Sequence, residues 1–484
     1  MRTLALLIFA SVALAQPWMA PGDLALRHDI QLLADAGILN GPVTTWPMSW
    51  PDIERQVLAV SPAAANDPRV ASALAHVRLK LGGVSAVGVS NLHSGVAAAE
   101  RPTVLRTFSD TPREKGALEV GGSWMSGRFA ANVELTAVTT SVDDQKVRLD
   151  GSYAGVRTAN WMVSAGWMDR WWGPGWEGSL ILSNNARPIP SLTVERNYSE
   201  AFRNPLLKWI GPWRASISMG RLDSSDVAVV NARLFAARAN FRPRAWLEVG
   251  VSRTAQWCGE GRPCDLSTFG KLLAGRDNRS ASLSASAEPG NQMAGYDFRL
   301  RSPWKALRAA FYGQLIGEDE AGGLPSKFLG LMGAEAWGDS GWGSYRVHAE
   351  FADTSCEFSR QRPQFNCAYR NGLYPQGYTF RGRIVGDALD NDGRMYSVGA
   401  ILVRADGSSW SALARKAELN RDEQGTDPTH TVSRSRDELK NLELQYNRAF
   451  ARGELGVGLG LDAFGGPLQS GSSLRGFVQW RQGF

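Results

Sequence analysis

Two neighbouring stretches gather the side chains best suited to hold a polar ligand. They are Asp169-Arg170-Trp171-Trp172-Gly173-Pro174-Gly175-Trp176, and Ser183-Asn184-Asn185-Ala186-Arg187-Pro188-Ile189-Pro190 running on to Glu195-Arg196-Asn197. Indole faces stack on flat apolar surfaces such as sugar rings, while Asn and Arg offer directional hydrogen bonds. Trp171, Trp172, Trp176, Asn184, Asn185, Arg187 and Arg196 are therefore candidate contacts for a polar ligand or sugar. The same residues suit a second role, bracing a barrel from within, with an Arg paired to a carboxylate such as Glu195. Pro174 lacks a donor and the glycines on either side favour turns, so the tryptophans sit on a stiff loop.

Catalytic chemistry is poorly supplied. Of the five His, His28, His76 and His93 lie in the N-terminal part, and His348 shares the polar face of a strand with Ser344, Arg346 and Glu350. A barrel lipase would place a nucleophilic Ser two residues from such a His, where Arg346 and Glu350 stand instead. The acid pairs Asp143-Asp144 and Asp390 with Asp392 read as solvated turn residues. Phosphate-loop, HExxH and GxSxG patterns are absent. No catalytic residue, cofactor or metal is expected. Cys258 with Cys264 and Cys356 with Cys367 form two local pairs without a neighbouring His or CxxC spacing, and in an oxidising compartment they read as disulfides clipping loops.

The elements that must position these residues follow from periodicity. Met1-Arg2, an apolar run and Ala13-Leu14-Ala15 predict a signal peptide over residues 1–15. Residues 16–100 hold three helical patterns: Asp23 to Leu39, a second capped by Ser49, and a third opened by Asp67-Pro68. They form a helical segment that either docks a periplasmic partner or plugs one barrel mouth.

From residue 117 to 484 the pattern has period two, as in Phe129 to Ala137, Ala228 to Ala236, Leu442 to Tyr446 and Leu455 to Leu461. The fold class is all-β: a transmembrane outer-membrane β-barrel of roughly sixteen to eighteen antiparallel strands, with apolar faces toward lipid and a polar lumen. The 52 Gly and 18 Trp, against 21% charged residues, suit such a barrel, whose aromatics gather at the two interfaces. A formal charge of +6 spread along the chain lacks the concentrated stripe that nucleic acid requires. Phe484 ends an amphipathic last strand of the kind presented to barrel assembly machinery, although Gln482 departs from the apolar residue usual there.

The long interruptions, Gln256 to Asn278, Thr354 to Gln376 and Asn420 to Asp437, are expected to be extracellular loops. In the second, Arg360, Arg362, Tyr369, Arg370 and Tyr374, with Tyr378, make a candidate polysaccharide-facing surface, the competing role for the tyrosines being an aromatic girdle.

The stretch from Asp169 to Asn197, with Arg-Trp-Trp-Gly-Pro-Gly-Trp and Ser-Asn-Asn-Ala-Arg-Pro-Ile-Pro, resembles the capsule assembly Wzi family of outer-membrane proteins. The resemblance implies an outer-membrane barrel with lectin-like behaviour that binds capsular or related surface polysaccharide and helps retain it at the cell surface. The partners expected are that polymer, outer-membrane lipid and the assembly machinery. A diffusion porin or polysaccharide export conduit, its pore lined or plugged by the Trp-rich segment, is the alternative.

Overall fold

The computed structural model describes residues 17–61, 67–84, 87–141, 143–222, 229–273, 290–304, 306–321, 324–423 and 426–484, so the expected signal peptide lies outside the described residues. Helix α1 (Leu24–Asp35) is capped by Asp23, whose carboxylate accepts from Leu26 N at 2.9 Å. Helix α2 (Trp50–Leu58) is capped by Ser49, and α3 (Pro68–Val84) packs on both through Leu74, Val77 and Leu81. Apolar positions at helical spacing thus bury one shared core, as short helices require.

The rest of the chain is a closed antiparallel barrel of eighteen strands. The two-residue strand Val147–Arg148 is an extra pairing on Phe129–Val138. Closure joins the last strand, Ser470–Gly483, to the first, Gly88–Ala99, in register Phe477 to Ala99 through Gly483 to His93. The barrel therefore begins well before residue 117. Its first strand was hidden because Gly, Ala and Ser dominate it, which leaves little contrast between its two faces.

Connections 168–189, 354–393 and 420–436 leave one end of the barrel, whereas 127–128, 245–246, 340–343 and 451–452 turn tightly at the other, where 197–212 is a longer exception. In outer-membrane barrels the short turns are periplasmic. The helices sit at that end and inside it. Arg242 donates to Ala34 O and Leu39 O, both at 2.8 Å, Arg299 pairs with Asp35 at 2.7 Å, and Glu248 accepts from the backbone of Val43 and Thr44. Trp209, Trp246, Trp304 and Trp342 stand exposed on the same end, and Trp342 reaches 78%. They are the interfacial aromatics that the tryptophan count foreshadowed.

Outward faces carry Val133, Leu135, Leu442, Leu444, Leu459 and Leu461 toward lipid, while Asn441, Glu443 and Gln445 point inward, as period two dictates. The outer half of the lumen departs from a simple polar interior. Ala232, Leu234 and Ala236 face inward and join Trp172, Trp176, Leu180, Ile181, Tyr312, Leu331 and Tyr369 in one core. Ala228, at the start of that expected run, lies outside the described residues. The inversion has a direct cause: two loops fold into the barrel, so those strands line protein instead of water.

Candidate functional site

The signature loop, residues 168–189, turns into the lumen from three short strands, Tyr153–Thr158, Trp161–Trp167 and Pro190–Arg196. At six and seven residues these are shorter than the roughly nine to eleven that usually span a bilayer. Trp171–Trp172 pairs antiparallel with Thr45–Trp46, so a chain from the helical segment and one from the extracellular side meet as a ribbon in the barrel interior. Gly175 and Gly178 permit the close turn that follows, because a Cβ on Gly175 would lie 2.3 Å from Gly178 O and one on Gly178 would lie 2.3 Å from Asp387 Oδ2.

The loop is held by groups from distant strands. Glu350 accepts from Trp176 N at 2.8 Å and from Gly178 N at 2.9 Å, and Tyr312 donates to it at 3.0 Å. Trp176 Nε1 donates to Glu335 at 2.8 Å, and Glu335 also pairs with Arg299 at 2.6 Å and Arg346 at 2.9 Å. Arg27 of α1 stacks over Trp176 at 4.1 Å and Phe108 at 4.4 Å, donating to Pro174 O and Gly175 O. His348 pairs with Glu177 at 2.7 Å and stacks on Trp176. Leu180 N donates to Gln314 Oε1 at 2.8 Å, and Gln314 Nε2 donates to Trp172 O at 2.7 Å.

The candidate residues of the motif are thus interior. Trp171, Trp172 and Trp176 are 0%, 0% and 2% exposed. Asn184 donates to Phe108 O at 3.1 Å and Asn185 to Ile384 O at 2.9 Å. Arg187 grips Asp150 with two bonds, at 2.7 and 2.8 Å, and also bonds Asp143. Arg196 does not join them. It lies toward the periplasmic end, 4.0 Å over the Trp213 ring and 2.6 Å from Trp213 O. Glu195 lies near Arg170, while Arg187 and Arg196 take other partners.

The loop 354–393 covers the first. Tyr369 donates to Leu180 O at 2.7 Å, Tyr378 to Ile181 O at 2.9 Å and Tyr374 to Cys258 O at 3.1 Å. These tyrosines are buried in the cap, not exposed as a loop surface or a girdle, and each hydroxyl satisfies a carbonyl of another loop. Arg370 is tied to Asp390 at 3.0 Å and Asp427 at 2.6 Å. Of the loop's candidate contacts, Arg360 and Arg362 are exposed. Both cysteine pairs, Cys258–Cys264 and Cys356–Cys367, are bonded and sit in extracellular loops.

Burial shapes the acids of this region. It raises the Asp387 carboxyl to about 7 against one backbone donor, from Leu389, and raises Asp392 to about 7 and Asp169 to about 6. Asp143 is also pushed up by burial, but bonds from Ser141 and Arg187 and the nearby guanidinium charges hold it at about 2. Glu335, Arg299, Arg27 and Gln314, which clamp the motif, escaped the sequence reading, whereas Glu350 was placed on the polar face of its strand without this role. The sole signal of Glu335, Arg299 and Gln314 was a charged or amide residue at an inward strand position, and Arg27 lies on α1.

A sequence profile described as Capsule assembly protein Wzi matches residues 90–465. The chain belongs to the Wzi capsule assembly family. An uncharacterized 55.8 kDa protein in the cps region of Klebsiella pneumoniae is 31% identical over 432 residues, covering 88% of this chain and 81% of that one. A solved structure, described as Wzi, an outer membrane protein involved in group 1 capsule assembly in Escherichia coli and a carbohydrate-binding β-barrel, superposes with a TM-score of 0.84. The two are 26% identical, and the match covers 97% of this chain and all of that one. This Wzi-family chain is accordingly an outer-membrane β-barrel, and its signature loop is an internal feature of the barrel.

Proposed function

We propose that this protein binds capsular or related surface polysaccharide non-covalently at its extracellular end and helps retain it at the cell surface. Family membership supports the reading, as does the Escherichia coli relative, described as carbohydrate-binding. The observation that carries the choice against a conduit is the filled lumen. Two extracellular loops and three helices meet inside the barrel through the Trp171–Trp46 ribbon and the Glu335 and Glu350 clamps, leaving the outer loop surface for the polymer.

The residues of the motif brace the barrel in this account, and the helical segment closes its periplasmic mouth. The polymer is held without chemistry, because the acids and histidine nearest the motif are committed to the loop beneath the cap.

The experiment is binding of the detergent-folded protein to the producing strain's purified surface polysaccharide beside an unrelated barrel. Saturable, selective binding is expected. Binding no better than that of the unrelated barrel would contradict the proposal.

A further inference from the structure

At the extracellular rim, apart from the buried motif, a cavity of about 500 Å³ is lined by Phe365, Glu418, Arg421, Asp422, Glu423 and Arg436. Three pieces of chain build it: the outer end of strand Ser409–Leu419, residues 421–423 with Arg436, and the loop clipped by Cys356–Cys367. Its size falls in the range of roughly 300–1,000 Å³ typical of small-ligand sites.

We propose that this cavity seats one uncharged pyranose unit of the polysaccharide, an inference that rests on the carbohydrate-binding reading above. The chemistry is complementary group by group. Phe365 offers an aromatic ring, the surface on which the C–H face of a sugar packs. Carboxylates accept from neighbouring hydroxyls, and guanidinium groups donate to ring and hydroxyl oxygens.

Charge decides what kind of sugar. Arg421 is already committed, with Nη2 2.7 Å from Asp353 Oδ1 and Nε 2.8 Å from Asp392 O. Arg436 is paired with Glu423 at the mouth. With Arg436 and Glu423 cancelling each other and Arg421 spent on Asp353, Glu418 gives the lining an acceptor with no uncommitted guanidinium beside it, which favours hydroxyls over a uronate.

The seat has a fixed floor and a yielding mouth. The ring at Phe365 is carried by a backbone bridge between Cys356 and Gln364, with bonds of 3.1 and 2.8 Å, inside the disulfide loop. Asn366 ties that loop inward to Asp392 at 2.7 Å and sideways to Asp422 at 2.8 Å. Arg421 is buried on the same side. At the mouth, the Arg436 and Glu423 side chains are 57% and 73% exposed, free to part and rebond to a ligand. A preorganised floor lowers the cost of ordering the site on binding. Arg360, an exposed arginine of the clipped loop, pairs with Glu357 and lies outside the cavity.

The test is titration of the full-length folded protein with oligosaccharides cut from the producing strain's purified surface polysaccharide, before and after carboxyl reduction. Phe365→Ala and, separately, Glu418→Gln are expected to weaken binding at least about tenfold. Phe365→Trp should retain binding, and Arg360→Ala should match the parent. Carboxyl-reduced oligosaccharides should bind at least as well as native ones. Glu418→Gln is a near-isosteric change at the strand end, so it stays readable if Phe365→Ala misfolds. Parent-like affinity in both Phe365→Ala and Glu418→Gln would overturn the seat while leaving carbohydrate binding standing. Loss of binding on carboxyl reduction would overturn its preference for uncharged sugar. A parent that binds no oligosaccharide would instead remove the reading beneath it.

Discussion

Two regions of this barrel carry the same residue types in opposite states. In the signature loop, indoles, amides and guanidinium groups are buried and held by protein partners, as with Trp176 between Glu335, Glu350 and Arg27. At the extracellular rim, Phe365, Glu418 and Arg436 stand around an open cavity. The difference teaches that residue type alone does not mark a ligand site, since aromatic and guanidinium groups serve a scaffold equally well once their partners come from the same chain. What separates the two regions is whether a polar group still has water to exchange.

The comparison can be broken first at Trp176. Trp176→Ala should cost about 3–5 kcal/mol, the usual range for removing a large buried aromatic. That loss is read as a large drop in melting temperature, with polymer binding by the remaining folded fraction unchanged. Weaker binding at full stability would return the loop to the ligand.

Glu350→Ala comes next. It strips the acceptor from Trp176 N, Gly178 N and Tyr312 Oη, and a loss of about 3 kcal/mol is expected from the stranded donors. Arg187→Ala combined with Asn185→Ala should destabilise by about 2 kcal/mol, through the lost Asp150 grip and the orphaned Ile384 carbonyl, again without changing affinity.

The cap supplies a pH prediction. Burial holds the folded Asp387 carboxyl at about 7, whereas an unfolded Asp titrates near about 3.9. Between those values the unfolded state has already released its proton and the folded state has not, so this contribution to stability falls as pH rises from about 4 to about 7 and is flat above. Asp392 adds to the slope in the same direction. Melting should therefore be easier at pH 8 than at pH 5 as far as these groups act. Asp387→Asn should flatten the slope and stabilise the pH 8 protein by on the order of 1–2 kcal/mol. An unchanged slope in melting curves across that range would show that the carboxyl is solvated. At the small end, Arg360→Ala should shift stability by less than about 0.5 kcal/mol, as expected for an exposed pair.

Much of the barrel could be read in the chain. Leu442, Leu444, Leu459 and Leu461 alternate with Asn441, Glu443 and glycines, and period two turns them toward lipid. Both cysteine pairs were legible because each closes a short local segment. The first strand was not, since small residues blur its faces. The inward course of Ala232, Leu234 and Ala236 was hidden as well, because it depends on loops distant in sequence, 168–189 and 354–393, folding into the barrel.

The motif's partners were illegible for the same reason. Trp176 meets Glu335 and Glu350, separated from it by 159 and 174 residues, and no local pattern encodes such a meeting. The rim cavity was half visible: the clipped loop was singled out, but Phe365 and the acids of the next loop come together only in the fold.

The most direct test of a closed barrel that holds its polymer outside is current through the purified protein in a planar lipid bilayer. The account predicts no steady open-pore conductance at moderate voltage, with or without polysaccharide. A stable, ohmic pore would contradict it and would make the protein a conduit.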